Sequence, residues 1–177
     1  MQCVCFCFLF LVLMLYKPKQ KLIMITYDEG DAIYPIGSGV KLLIHVCNSV
    51  GSWGAGFVLA ISKRWKEPER MYKLMPIKEM GTVQTISVEE DIVVVNMIAQ
   101  TLFSRFYKGK DIPLSYPALE KCLRKVNKIA VRHNMTIHGP RFGSGLAGGD
   151  WNKIEAMINE VITVPIYIYD YEGTSEA

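Results

Sequence analysis

The sequence predicts an α/β fold in which helices cover both faces of a mixed, mostly parallel central sheet. Short runs rich in Ile, Leu and Val alternate along the chain with longer amphipathic stretches, and this alternation is typical of strands joined by helices. The strand-like runs are continuously apolar, as expected for strands buried on both faces. The 177 residues are 50% hydrophobic and 21% charged, which indicates one globular domain with a sizeable core. Together these observations favour a three-layer α/β/α arrangement.

The individual elements follow from composition and periodicity. Residues 22–27 and 41–47 are apolar and bounded by Gly, Pro and Asp, so we expect strands there. Further strands are expected over residues 82–87, 91–98, 135–138 and 165–169, and Glu89-Glu90 should form a solvated turn. Helices are expected over residues 56–65, 67–75, 117–133 and 152–162. The longest of these places Leu119, Leu123, Val126 and Ala130 on one face, at helical spacing.

The first 23 residues are expected to lie outside the fold. Residues 3–16 form an uncharged apolar run of about fourteen residues, whereas a membrane-spanning helix needs roughly twenty. The run also lacks the basic start and the small-residue cleavage site of a signal peptide. We therefore favour an appendage, with Met24 as the true initiator, over a weak membrane anchor. The expected boundaries are 1–23 for this leader, 24–172 for the domain and 173–177 for a short tail.

Charge and cysteine content exclude several classes of protein. The formal net charge of +3 suits an anionic ligand, but no basic stripe with interleaved aromatic residues indicates nucleic acid. The cysteines are Cys3, Cys5, Cys7, Cys47 and Cys122. They show no C-x-x-C pair and no histidine spacing for zinc, so we expect free thiols in a reducing, cytoplasmic setting and neither a metal nor a cofactor.

Two predicted strands end in glycine-rich turns that open helices. One turn covers residues 48–56 and the other residues 143–149. Glycines let the backbone approach a ligand closely, and a helix N-terminus offers unpaired N–H groups and a positive dipole end. Because ligands bind beyond the carboxyl ends of parallel strands, the pair predicts a site for an anion with two phosphates.

The second turn also matches G-x-G-x-x-G, with Asp170 about twenty residues later, as in dinucleotide-binding folds. Four residues separate that match from the preceding predicted strand, and only one more strand follows it. The second half of such a fold is missing, so we disfavour a nicotinamide-dependent oxidoreductase. No P-loop lysine motif is present either.

Five segments together resemble a macro domain, in the branch of the yeast-type ADP-ribose 1''-phosphate phosphatases. They are ITY at 25–27, EGD at 29–31, IHVCN at 44–48, GSWGAG at 51–56 and PRFGSGLAGG at 140–149. The resemblance covers about residues 24–171, in the order and spacing of that family. It implies a three-layer α/β/α macro domain that binds ADP-ribose or ADP-ribose 1''-phosphate, with an ADP-ribosylated protein as a further partner.

The resemblance also implies roles for individual residues. Asp31 would accept a hydrogen bond from the adenine amino group, and Tyr169 would stack on adenine; a turn aspartate and a core tyrosine are the alternatives. Asn48 would reach the distal ribose. The first loop would wrap that ribose and part of the diphosphate through Gly51, Ser52, Trp53, Gly54, Ala55 and Gly56. The second would bind phosphate oxygens through the backbone of Gly143, Ser144, Gly145, Leu146, Ala147 and Gly148. We expect Trp151 to be a packing residue.

His45 is the main candidate for chemistry. It lies near the end of a predicted strand, three residues before Asn48, where a neutral imidazole could act as general base or acid. In the resembled branch this histidine is the proposed catalytic residue, whereas a buried structural histidine is the alternative. His138 is a weaker candidate, and His133 should be solvated.

Two hypotheses stay open. Other macro-domain branches use a lysine and an aspartate where this chain has Gln100 and Ala147, neither of which can act as nucleophile or base. The sequence therefore leaves a phosphatase acting on ADP-ribose 1''-phosphate, or a non-catalytic reader of free or protein-linked ADP-ribose.

Overall fold

The computed structural model describes residues 25–101 and 112–171. Six strands and four helices lie in these ranges. The strands are β1 (Ile25–Glu29), β2 (Lys41–Asn48), β3 (Val83–Ser87), β4 (Ile92–Gln100), β5 (Thr136–Pro140) and β6 (Ile166–Asp170). The helices are α1 (Phe57–Arg64), α2 (Glu67–Leu74), α3 (Tyr116–His133) and α4 (Trp151–Val161). The predicted leader 1–23 and tail 173–177 fall outside the described residues.

The strands form one six-stranded sheet in the order β1-β6-β5-β2-β4-β3. Every neighbouring pair is parallel except β3 with β4, which places an antiparallel strand at one edge. The predicted mixed, mostly parallel sheet is therefore confirmed. Because β1, β2, β4, β5 and β6 run in the same direction, their carboxyl ends share one edge of the sheet. Strands β2 and β5, which precede the two glycine loops, are direct neighbours.

Helices cover both faces of the sheet, as predicted. Helices α3 and α4 pack on one face, where Leu119 and Ile154 meet Leu42 and Ile44 of β2 in a continuous apolar cluster. On the other face, Ile61 of α1 packs with β2 and β4, and Tyr72 of α2 lies in an adjoining cluster. Strand residues therefore alternate between two buried faces, which explains why β2 is apolar without a polar side.

The predicted elements differ from the observed ones mainly at their ends. Strand β5 continues past the predicted end at His138 to Pro140, because it stays paired with β6 up to Tyr169. Gly139 permits this extension, since a Cβ there would lie 2.8 Å from the carbonyl oxygen of Ile44. Pro140 lies beyond His138, where β5 no longer pairs with β2 and so has the character of an edge strand, in which a proline is tolerated.

Residues 89 and 90 form the expected bend before β4, and Glu90 is exposed, but Glu89 is only partly solvated. Its carboxylate accepts a hydrogen bond from the Trp65 indole at 2.9 Å and pairs with Arg64 at 2.7 Å. Glu89 therefore ties the end of helix α1 to the turn that precedes β4.

Within the described residues, every helix is too short or too polar to cross a membrane.

Candidate functional site

A continuous cleft runs along the edge of the sheet where the parallel strands end. It consists of three adjoining cavities. The first-loop cavity, of about 380 Å³, lies between the end of β2 and residues 52–55. The central cavity, of about 260 Å³, lies under both glycine loops. The edge cavity, of about 550 Å³, lies between the chain after β1 and the end of β6.

The three cavities share walls. The first-loop and central cavities are both lined by Val46, Ala55, Val58, Gln100 and Leu146. The central and edge cavities are both lined by Phe57 and Pro140. A single elongated ligand could therefore occupy all three.

Asn48 holds the first glycine loop in shape. Its side-chain oxygen accepts hydrogen bonds from Val50 N at 3.1 Å and Ser52 N at 3.0 Å, and it lies 3.0 Å from the Tyr72 hydroxyl oxygen. Its side-chain nitrogen donates to the carbonyl oxygen of Ser52 at 2.6 Å. The Tyr72 hydroxyl also bonds the Asn48 carbonyl oxygen at 2.6 Å. Asn48 lines the first-loop cavity, but most of its hydrogen-bonding capacity is spent inside the protein.

The two glycine loops meet at the start of helix α1. Gly56 precedes the helix with a φ of 73°, in the region that favours glycine. A Cβ at this position would lie 3.2 Å from Cδ1 of Leu146 in the second loop. No side chain caps the helix, and its first turn contains no acidic residue. Its unpaired N–H groups and positive dipole end are therefore available to an anion.

The second loop is closed by its own backbone. Gly149 N donates to the Gly143 oxygen at 2.8 Å, and Gly148 N donates to the Gly145 oxygen at 2.9 Å. Gly149 admits no side chain, because a Cβ would lie 2.4 Å from Leu114 and 2.6 Å from the Gly143 oxygen. By contrast, a Cβ on Gly145 would meet no atom within 4 Å, so this glycine faces open space.

The edge cavity contains the two residues expected to recognise a base. Asp31 lines it, and one carboxylate oxygen accepts a hydrogen bond from Ile33 N at 3.1 Å, which forms a local turn. Tyr169 also lines this cavity but is only 4% exposed. Its hydroxyl bonds Ile36 N at 3.0 Å and His138 Nδ1 at 2.9 Å. Tyr169 therefore orders the segment after β1 in addition to forming the cavity wall.

His45 forms part of the central cavity floor, although it is only 2% exposed. Its Nε2 lies 2.6 Å from the side-chain oxygen of Asn96, whose nitrogen donates to Pro68 and Gln84. That oxygen must accept, so His45 carries its proton on Nε2. Burial lowers the pKa of His45 from 6.5 to about 4, so the ring is neutral at pH 7.

Further protein groups enclose the His45 ring. Nδ1 lies 3.8 Å from the Cys47 sulfur, and the ring meets the edge of Trp53 at a centroid distance of 5.5 Å. These contacts support a positioning role under the first loop more directly than proton transfer to a bound ligand.

His138 was expected to be a weaker candidate for chemistry, but it does not lie at a position that a ligand can reach. It is fully buried, hydrogen-bonded to Thr136 and Tyr169, and stacked on Tyr167 at 4.8 Å. Burial lowers its pKa to about 4. His133 is exposed, as predicted.

The predicted site residues divide into those that line the cleft and those that do not. The lining contains His45, Asp31, Asn48, Ser52, Trp53, Gly54, Ala55, Gly56, Gly143, Gly145, Leu146, Ala147 and Tyr169. The remaining three, Gly51, Ser144 and Gly148, lie outside it. Phe57, Val58 and Arg141 are among the lining residues that were not predicted from the sequence. Only their position in the sequence could have identified them as lining residues, because each follows a strand end or a glycine loop.

Trp151 packs as expected. It begins helix α4, contacts the core beside Phe142 at a centroid distance of 5.8 Å, and donates from its indole nitrogen to the Tyr27 hydroxyl at 3.0 Å.

Comparison with known proteins places this chain in a family. No protein-family model matches the chain. A protein of unknown function from Bacteroides thetaiotaomicron is 41% identical, with a TM-score of 0.79 over 84% of this chain and 98% of that one. A macrodomain protein from Streptomyces coelicolor is 38% identical, with a TM-score of 0.70 over 83% of this chain and 99% of that one. The chain belongs to the macrodomain family.

Curated relatives of this macrodomain are more distant. An ADP-ribose 1''-phosphate phosphatase from Lodderomyces elongisporus is 22% identical over 82% of this chain and 97% of its own length. Chromodomain-helicase-DNA-binding protein 1-like from Mus musculus is 25% identical, but the match spans only 17% of that protein. The Trypanosoma brucei macrodomain, solved in complex with ADP-ribose, shares the fold at a TM-score of 0.57 and 12% identity, over 82% of this chain and 63% of that one.

Proposed function

We propose that this macrodomain binds ADP-ribose along the cleft. The observation that carries the proposal is the meeting of two glycine loops, from neighbouring parallel strands, over one continuous cavity system. Backbone N–H groups and an uncapped helix start converge there, and these groups suit phosphate oxygens. The ADP-ribose complex of a distant macrodomain with the same fold supports the choice of ligand.

The three cavities suggest an orientation for the ligand. Adenine would enter the edge cavity, where Asp31 offers a carboxylate acceptor to the exocyclic amino group. The diphosphate would lie in the central cavity beneath Gly56 and Gly145. The distal ribose would occupy the first-loop cavity, next to Asn48. Asn48 would then serve mainly by shaping the loop around the ribose.

Calorimetric titration with ADP-ribose tests the proposal, using a pair of variants at one position. Gly145 has open space above its Cα and an ordinary φ, so Gly145→Ala should keep the fold. Its methyl would enter the space proposed for the diphosphate, so it should weaken binding modestly through crowding alone. Gly145→Asp places a carboxylate beside the diphosphate and should weaken binding at least about tenfold, because like charges repel strongly in a partly enclosed site. If titration of the wild-type protein with ADP-ribose produces no binding heat, the proposal is wrong.

Hydrolysis of ADP-ribose 1''-phosphate is the second candidate function. It is supported by similarity to the Lodderomyces elongisporus phosphatase over nearly all of that protein's length, at low identity. The first-loop cavity, of about 380 Å³, would then have to hold the terminal phosphate as well as the distal ribose. The alternative is a reader that binds free or protein-linked ADP-ribose without turnover.

Phosphate release from ADP-ribose 1''-phosphate separates these two functions. His45→Gln keeps an N–H group for Asn96 and approximates the size of the ring, so it should retain the fold. If His45 transfers a proton, the variant should bind ADP-ribose normally and lose turnover. If His45 only positions the first loop, affinity and turnover should fall together. If the wild-type protein releases no phosphate, the supported function is that of a reader that binds ADP-ribose without turnover.

A further inference from the structure

The side of helix α3 that faces solvent carries a dense row of positive charge. The helix contains five basic residues against one acidic residue, Glu120, so its formal net charge is +4. Residues 24–177 as a whole contain 17 basic and 17 acidic residues, so positive charge is concentrated on this helix and the rest of that range is net negative. The five basic residues, called the basic stripe below, are Lys121, Arg124, Lys125, Lys128 and Arg132, and all are exposed.

Helical spacing brings the basic stripe to one side of α3. Positions 121, 125, 128 and 132 follow the i, i+4, i+7, i+11 pattern of a single helix face, and position 124 lies beside them. The apolar residues of the helix, among them Leu119 and Leu123, are buried against the sheet on the opposite side. The basic stripe therefore points away from the domain.

Most of the basic stripe is free to meet a partner. Arg124 is paired with Glu120 at 2.7 Å, and Lys125 donates to the carbonyl oxygen of Gly81 at 2.8 Å. None of the salt bridges among the described residues involves Lys121, Lys128 or Arg132. At least three full positive charges are therefore not neutralised by a described residue.

The spacing of these charges resembles that of phosphates on a nucleic-acid strand. Because an α-helix rises about 1.5 Å per residue, the basic stripe is about 16 Å long and presents a cation about every 4 Å. Each strand of a DNA duplex carries one phosphate about every 3.4 Å along the helix axis. A straight row of cations of similar density thus complements the regular charge of a duplex.

The composition of the basic stripe excludes two other modes of binding. It contains no aromatic residue on which an unpaired base could stack, so single-stranded binding of that kind is not supported. A helix that lies in a membrane surface inserts its apolar face into the lipid, whereas the apolar face of α3 is used by the core. Contact with the phosphate backbone of a duplex is the mode that fits.

We propose that the basic stripe binds the phosphate backbone of double-stranded nucleic acid without reading its sequence. None of its five residues lines the three cavities of the cleft. The surface is therefore separate from the proposed ADP-ribose site, and the inference does not depend on that function.

The test measures the fluorescence anisotropy of a short labelled DNA duplex of mixed sequence at several salt concentrations. Wild-type affinity should fall with salt at a logarithmic slope of about −3 to −4, since each neutralised phosphate contributes about −0.9. Replacing both Lys128 and Arg132 with Gln should reduce the slope by about two and weaken binding about tenfold at low salt. Both side chains are exposed, so the melting temperature should not change.

A second double variant provides the matched control. Lys66→Gln with Arg70→Gln also removes one lysine and one arginine, but from the exposed surface around helix α2, on the other face of the sheet. It should bind the duplex within about twofold of the wild type, since exposed charges far from the contact are screened. All three proteins keep the lysines that precede residue 25, so those lysines cannot cause a difference between the variants.

Each outcome supports or overturns the inference. Equal losses in the two double variants would show that net charge alone is responsible, and a wild type that does not bind the duplex at low salt would also overturn it. Equally tight, stripe-dependent binding to poly-glutamate or to phosphatidylserine vesicles would assign the surface to another class of partner. Calorimetry with ADP-ribose should give the wild-type affinity in both double variants, so failure of this inference and failure of the proposed function remain distinguishable.

Discussion

Replacing Asn48 with alanine tests whether this residue shapes the first loop or only contacts the ligand. The change removes two hydrogen bonds accepted by the side-chain oxygen from Val50 N and Ser52 N and one donated by the side-chain nitrogen, together with the 3.0 Å contact to the Tyr72 hydroxyl. Each would contribute about 1 kcal/mol. Water can replace part of this at the partly exposed loop, and the Tyr72 hydroxyl keeps its bond to the Asn48 carbonyl oxygen. We therefore expect the free energy of unfolding to fall by about 2 kcal/mol, which corresponds to the net loss of about two internal hydrogen bonds.

Urea denaturation of the wild type and of Asn48→Ala measures this loss directly. For a domain of this size, a loss of that magnitude also lowers the melting temperature by about 4–8 °C. Because the loop would lose its fixed shape, ADP-ribose should bind at least about tenfold more weakly. Wild-type stability together with weakened binding would refute the reasoning, since Asn48 would then be a ligand contact and not a loop support.

Tyr72→Phe provides the matched control for that experiment. It removes the hydroxyl that bonds Asn48 but keeps the buried ring. We expect a loss of about 1 kcal/mol. The double variant should be less destabilised than the sum of the single variants, because the two residues share a hydrogen bond.

Three further predictions concern the glycine junction, the buried histidines and the edge cavity. Gly56→Ala should lower the free energy of unfolding by about 1–2 kcal/mol, because a side chain at a φ of 73° is strained, and urea denaturation should show it. Burial holds the pKa values of His45 and His138 near 4. The unfolded state therefore binds more protons between pH 4 and 6.5, and stability should be complete above pH 6.5 and fall as the pH drops toward 4. The loss should be about 2–4 kcal/mol for His45 alone, measured by urea denaturation from pH 7 to pH 4. Tyr169→Phe should lower the free energy of unfolding by about 1 kcal/mol through loss of its two hydrogen bonds and should weaken adenosine binding, measured by calorimetry.

Each of these predictions has a control. Gly54→Ala should keep wild-type stability, since its φ is ordinary and no atom lies within 4 Å of the added carbon; equal losses at both glycines would contradict the strain argument. His45→Gln should flatten the pH dependence, and an unchanged slope would mean that His45 titrates normally. If Tyr169→Phe binds adenosine as the wild type does, the Tyr169 hydroxyl does not contribute to binding in the edge cavity.

The sequence was sufficient to predict the fold because its signals are local. Apolar runs bounded by turn residues located the strands, and helical spacing of Leu119 and Leu123 located the long helix. The loops were also predictable, since Gly56 and Gly143 occupy backbone conformations that favour glycine. The extension of β5 to Pro140 was missed because it depends on pairing with β6, which no local pattern records.

The roles of individual site residues were harder to predict, because they depend on contacts between distant parts of the chain. Asn48 supports its loop with help from Tyr72, 24 residues away. Arg141 owes its orientation to Asp170, 29 residues away. The burial of the His45 side chain could not be predicted either. Because β2 is buried on both faces, its sequence shows no polar–apolar alternation that would distinguish a residue lining a cavity from a residue in the core.

The most direct test of the account follows backbone amide signals by NMR while ADP-ribose is added to the labelled protein. If both loops enclose one diphosphate, amides of residues 52–56 and 143–148 should shift together, with a single dissociation constant. Adenosine alone should move signals around the edge cavity and leave both loops unchanged. Shifts confined to one loop, or two different dissociation constants, would contradict a shared diphosphate site.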